Sequence, residues 1–145
     1  MQNAAQILRE SQLSIAAETY SLISMRHEDF ARLLENAELS PRMSAPFSIF
    51  MDKHEVTLML DDVDFETMRH ALREAKIERG FRLLTFETEL DLNVIGFLAE
   101  VARILADSSI PILAMSAFSR DHILVKQLDL ANALKALGPY VHELC

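Results

Sequence analysis

The side chains able to do chemistry are 22 Asp and Glu, five His and one cysteine, against 14 Lys and Arg. Few of them fall into a working pattern. Asp62, Glu66 and His70 stand at i, i+4 and i+8, so one helix face would carry all three and could hold a cation. A metal site needs ligands converging from a second element, and the bland reading is a solvated face. Cys145 is the last residue, and nothing beside it in sequence would lower its pKa. No Gly-x-Ser-x-Gly elbow, Gly-rich phosphate loop or Cys–His pairing occurs. The expectation is therefore a protein without catalytic residues, without a cofactor and without a metal.

One segment has a different kind of chemistry. Leu90-Asp91-Leu92-Asn93 connects a predicted strand ending near Thr88 to a predicted helix beginning near Val94. A helix start leaves backbone N–H groups unpaired, and the helix dipole favours a carboxylate there. Gly96, followed by Phe97, has no Cβ and admits a close approach by backbone or ligand. The competing reading of Gly96 is close packing against the sheet, and that of Asp91 is a cap for the following helix. The opposite wall would come from the Phe118 to His122 turn, with Ser116 two residues before Phe118. Taken singly, Ser116 reads as a satisfied hydroxyl in a buried strand, Asp121 as a turn residue bonding its own backbone, and His122 as a hairpin residue beside the sheet.

The elements that must position these residues follow from periodicity. Ala4, Ala5, Ile7 and Leu8 suit a short helix or a loose arm. Leu13–Met25 reads as a strand, and Phe30, Leu33, Leu34 and Ala37 as a helix ending before Ser40-Pro41. Phe47–Met51 and Glu55–Leu60 form a predicted hairpin around Asp52-Lys53-His54. Asp64 is placed to cap a helix through Phe65, Met68, Leu72 and Ala75, and Gly80 to end the region. Then come a strand (Phe81–Thr88), a helix (Val94–Asp107) and a strand (Ile110–Phe118) whose apolar residues of both parities suggest two covered faces. His122–Lys126 is the next strand. Asp129 is placed to cap a last helix through Leu137, stopped by Gly138 and Pro139, and Tyr140–Leu144 adds an edge strand.

The order β-α-β-β-α followed by β-α-β-β-α-β predicts an α+β fold of tandem ferredoxin-like (βαββαβ) halves, antiparallel sheets with helices on one face. A shift of 68 residues sets Ser48-x-Phe50-x-x-x-His54 on Ser116-x-Phe118-x-x-x-His122, and Asp61 on Asp129. The identities are few, so the element order carries the expectation of two halves, 1–79 and 80–145.

Composition excludes other classes. The formal net charge is −8, a poor match for nucleic acid, which needs clustered Lys and Arg. The longest nearly unbroken apolar run, Ile110–Phe118, is far short of a membrane span. Met1–Glu10 lacks the basic start and long apolar stretch of a secretory signal, and a lone cysteine suits a reducing compartment, so a cytoplasmic location is expected.

The second half is similar to a known family. Gly80-Phe81-Arg82-Leu83-Leu84, Leu90 to Ala99, Leu105-Ala106-Asp107, Ile110-Pro111-Ile112, Ser116-Ala117-Phe118 and Asp121 to Val125 resemble the ACT domain superfamily. The likeness narrows to bacterial tandem-ACT proteins related to aspartokinase regulatory regions and to the animal cytosolic arginine sensor. It covers roughly Gly80 to Leu137. The first half matches more weakly, through Ser44 to Ser48 and the hairpin after it. The resemblance implies a regulatory, allosteric module binding an amino acid or similar metabolite, and a homodimer formed through sheet or helix pairing. It implies a ligand held by Asp91, Leu92, Asn93, Val94, Gly96, Phe97, Ser116, Phe118, Asp121 and His122, with Asp121 on the ligand's cationic end. Two departures stand out. Ala117 replaces a frequent Ser or Thr, and Arg26-His27-Glu28 stands where the second half has Val94-Ile95-Gly96. These favour the alternative, a dimerisation or interaction module with a vestigial cleft.

Overall fold

The computed structural model describes residues 3–145. The element order is α1 (Ala4–Glu10), β1 (Gln12–Met25), α2 (His27–Leu34), β2 (Ser48–Met51), β3 (Val56–Asp61), α3 (Asp62–Met68), β4 (Lys76–Phe86), α4 (Phe97–Asp107), β5 (Leu113–Ser116), β6 (Asp121–Lys126), α5 (Leu130–Leu137) and β7 (Glu143–Leu144), with short 3-10 turns between. The α+β, ferredoxin-like expectation holds. Packing divides the chain into two compact units at points other than the 79/80 repeat boundary. Unit 1 takes the stretch up to Ala17 with Arg82–Cys145, and unit 2 is Glu18–Phe81.

Unit 1 gains its N-terminal stretch through specific contacts. Asn3 caps α1 by accepting from the Gln6 N–H at 2.8 Å. Ile7 and Leu8 then enter the core with Leu84, Phe86, Val101, Leu105 and Val125. The Glu87 N–H donates to Gln12 O at 2.8 Å, and Thr88 Oγ1 donates to Ser11 Oγ. β7 lies parallel to the start of β1, with Gln12 opposite Glu143 and Leu13 opposite Leu144. β5 pairs antiparallel with β6. It has only four residues and leaves Leu113 exposed, so the expectation of two covered faces is corrected: β5 is an edge strand. α4 is amphipathic, with Phe97, Val101, Ile104 and Leu105 buried on one face.

Unit 2 uses the C-terminal part of β1, paired antiparallel with β3 from Tyr20↔Asp61 to Met25↔Val56. β2 pairs with the other edge of β3. The core gathers Ile23, Phe30, Leu33, Leu58, Leu60, Met68 and Leu72. Asp61, not Asp64, caps α3: its Oδ1 accepts from the Asp64 N–H at 2.8 Å. Asp64 is itself buried, receiving Arg42. Gly80 does not end the region. β4 runs through it, because a residue without Cβ tolerates its φ of +83° inside the strand. At the second half's equivalent of Asp61, Asp129 precedes α5 but its side chain makes no cap bond.

No helix among the described residues is long and apolar enough to cross a membrane.

Candidate functional site

The site lies wholly in unit 1, at the ends of β4 and β5 and the start of α4. β4 ends at Phe86 and α4 begins at Phe97, three residues later than the helix start expected near Val94. These two rings meet edge-on, centroids 5.5 Å apart at 84°, and clamp both ends of the intervening loop. Such a pair contributes about 1 kcal/mol beyond its burial. Inside the loop, Asp91 Oδ1 accepts from the Asn93 N–H at 2.9 Å and the Val94 N–H donates to Asp91 O at 3.0 Å. Asp91 thus shapes a turn and does not cap the helix. Gly96 has φ +85°, and a Cβ there would meet nothing within 4 Å. Its role is the left-handed turn into α4, which a side chain would strain, and not the close packing that was the competing reading.

The opposite wall is the turn joining β5 to β6, in which the Ala117 N–H donates to Arg120 O at 2.9 Å. The Leu90 N–H donates to Ser119 O at 2.7 Å and fastens loop to turn. Between them opens a cavity of ≈ 410 Å³, lined by Leu90, Asp91, Leu92, Val94, Gly96, Phe97, Leu98, Ala99 and Ser116 to Asp121. Of the residues singled out in the sequence, Asp91, Leu92, Val94, Gly96, Phe97, Ser116, Phe118 and Asp121 are brought together here.

Asn93 and His122 are not. Asn93 donates its backbone N–H to Asp91 within the loop and does not line the cavity. His122 Nδ1 pairs with Thr85 Oγ1 at 2.7 Å on the sheet. Burial holds the His122 imidazole below its usual pKa, with Glu87 and Asp121 opposing and Arg120 adding to the shift. The ring is therefore neutral near pH 7. Ser116 is exposed at the end of the edge strand, and so is not the buried hydroxyl of the competing reading.

Arg120 was not singled out in the sequence, although it sits in the same turn. Its guanidinium stands 3.5 Å from Glu87 and 3.6 Å from Glu89. Those long, half-exposed pairs orient it more than they stabilise the fold. With Arg120 turned to these glutamates, Asp121 has no ion-pair partner among the described residues. The helix supplies complementary groups. No side chain caps α4, and the N–H groups of Phe97, Leu98 and Ala99 precede its first intrahelical bond, from the Glu100 N–H to Gly96 O. The cavity therefore offers N–H donors at a helix start and a carboxylate on the facing turn. Among the described residues no group of three His, Cys, Asp or Glu could hold a metal ion. Asp62 and Glu66 are instead met by Arg79.

Comparison with known proteins agrees with this architecture. Residues 76–138 match the family model of the ACT domain. A crystal structure of a protein from Agobacterium tumefaciens is similar, with 18% identity and a TM-score of 0.72 over 94% of this chain and 92% of that one. A protein of unknown function from Vibrio cholerae, described as a possible transport protein, has 22% identity and a TM-score of 0.67 over 92% and 93%. The regulatory subunit of aspartate kinase from Thermus thermophilus has 10% identity and a TM-score of 0.61 over 92% and 98%. No curated protein matches the chain at a significant level. Residues 76–138 thus carry the ACT-domain sequence pattern on the strand, loop and helix order described above.

Proposed function

We propose that the chain is a non-catalytic regulatory module that binds an amino acid, or a metabolite with the same pair of charged groups, in the unit 1 cavity. The observation that carries this reading is the facing of uncapped helix N–H groups and the Asp121 carboxylate across ≈ 410 Å³. The N–H groups of Phe97 to Ala99 take the ligand carboxylate, assisted by the helix dipole. Asp121 takes the ammonium or another cationic group. Leu90, Val94 and Phe97 line the space left for a side chain. The similar aspartate kinase regulatory subunit supports a regulatory role by analogy of fold. On this reading residues 1–79 and 80–145 are diverged copies, the protein is cytoplasmic, and it works as a homodimer whose output passes to another protein.

A dimerisation or interaction module with a vestigial cleft is the second reading. The exposure of Leu92 (72%), Ile95 (90%) and Phe118 (83%) around the same loop favours it.

A thermal-shift series over the twenty amino acids separates the two. A ligand at ~100 times its Kd stabilises by about 2.7 kcal/mol, a clear rise in Tm. Asp121→Ala abolishes that rise while leaving the ligand-free Tm nearly unchanged. No response to any amino acid overturns the sensor reading, and a response retained in Asp121→Ala removes Asp121 from the site.

A further inference from the structure

Unit 2 holds a second cavity, of ≈ 310 Å³, built from different chemistry. Leu58 and its cross-strand partner Ile49 line it from the sheet, and Phe30 and Leu33 line it from α2. No Asp, Glu, Lys, Arg or His contributes to the lining. Its two polar side chains are already engaged in the adjoining loop. Asn36 Oδ1 accepts from the Glu38 N–H at 3.0 Å, and Ser40 Oγ donates to Ala37 O at 2.6 Å. Such walls offer nothing to a zwitterion, since a charged group would lose its water without compensation. The cleft is open to solvent at Leu34, Met43 and Ile49, and an apolar guest seated on Phe30, Leu33 and Leu58 removes apolar surface from water. The volume lies at the small end of ligand pockets.

One side of the cavity is a strap, residues 36–43, fastened by ionic bonds. Arg42 Nε donates to Asp64 Oδ1 at 2.8 Å, and its Nη2 to Asp61 Oδ2 at 2.7 Å. Both carboxylates are buried, at 3% exposure. Met43, the next residue, lines the cavity yet is 89% exposed, so the arginine fastens this end of the strap while Leu39 packs on the core at the other.

We propose that this cavity binds a small uncharged apolar molecule, one aromatic ring or a short aliphatic chain, and that the Arg42-latched strap governs its entry and exit. The site lies in a different unit from the proposed amino-acid site, so the two stand or fall separately.

The probe is n-octanol, titrated into the full chain and followed through the methyl NMR signals of Met and Leu. The expected result is saturable shifts at Met43, Met68, Leu33 and Leu58, with none at Leu92 or Leu98. Ala37→Leu, placed on the lining to fill it, lowers the affinity by about tenfold or more. If that variant does not fold, Ile49→Phe on the edge strand gives the same occlusion. Arg42→Met keeps saturable binding but raises the dissociation rate by roughly tenfold. Shifts that do not saturate, that spread over both units, or that survive the filled variant unchanged overturn the site. An unchanged dissociation rate in Arg42→Met overturns the strap.

Discussion

The same strand-to-helix junction occurs once in each unit, and the two are built differently. In unit 1, residues 87–96 separate β4 from α4, the helix start is uncapped, and a cavity opens there. In unit 2, Arg26 alone separates β1 from α2. Its guanidinium grips Asp29 with two hydrogen bonds, 2.9 and 3.1 Å, and holds that carboxyl below the usual carboxylate range. Glu28 and Asp29 already supply negative charge to the first turn of α2. His27 Nε2 then bonds Asp52 O at 2.7 Å, tying the junction to the β2–β3 turn. One topology therefore gives an open junction or a closed one. The difference lies in loop length and in the acidic side chains of the first helical turn, since neither helix start has a side-chain cap hydrogen bond.

The largest expected effect tests the caps of α3 and α5, where a side chain caps the helix in unit 2 and none does in unit 1. Asp61→Ala removes the α3 cap and one of the two carboxylates on Arg42, and should cost about 2 kcal/mol in urea unfolding. Asp129→Ala, at the corresponding position before α5, should cost less than about 0.5 kcal/mol, because its side chain caps nothing. Equal costs would break the comparison.

Next is the turn that opens unit 1. Gly96→Ala should destabilise by roughly 1 kcal/mol although the space around it is empty, because φ is +85°. A neutral result would mean that the loop relaxes to another conformation.

The smallest effect concerns the closed junction. His27→Ala should cost about 0.5 kcal/mol and raise amide exchange at His54 and Glu55, whose N–H groups both bond Asp52 Oδ1. If exchange there is unchanged, the His27 contact is not what keeps the junction shut.

Much of the fold is legible in the sequence because apolar periodicity is local. The amphipathic face of α4, the two hairpins and the Gly138-Pro139 stop all follow from spacing. Where reading failed, a distant partner had decided. Asp61 and Asp64 both precede an apolar helical pattern, and local preference cannot rank them. Arg42, some 20 residues earlier, draws both side chains inward while Asp61 keeps the cap. Ile110–Phe118 has apolar residues of both parities, but only the pairing shows that β5 lies at an edge. The start of α4 was misplaced because Val94 and Ile95 continue the apolar pattern, whereas backbone geometry at Gly96 sets the boundary.

By itself the sequence determined the element order and the acidic net charge, and it set the Leu90 to Gly96 loop against the Phe118 to His122 turn as one candidate site. Tertiary structure decided what is open. It seated the N-terminal arm in unit 1, turned His122 onto Thr85 and away from the cavity, and closed the unit 2 junction while leaving an apolar cavity elsewhere in that unit. The physical reason is that periodicity fixes which face of an element is apolar, whereas enclosed space depends on how several faces meet, and no single stretch of chain encodes that.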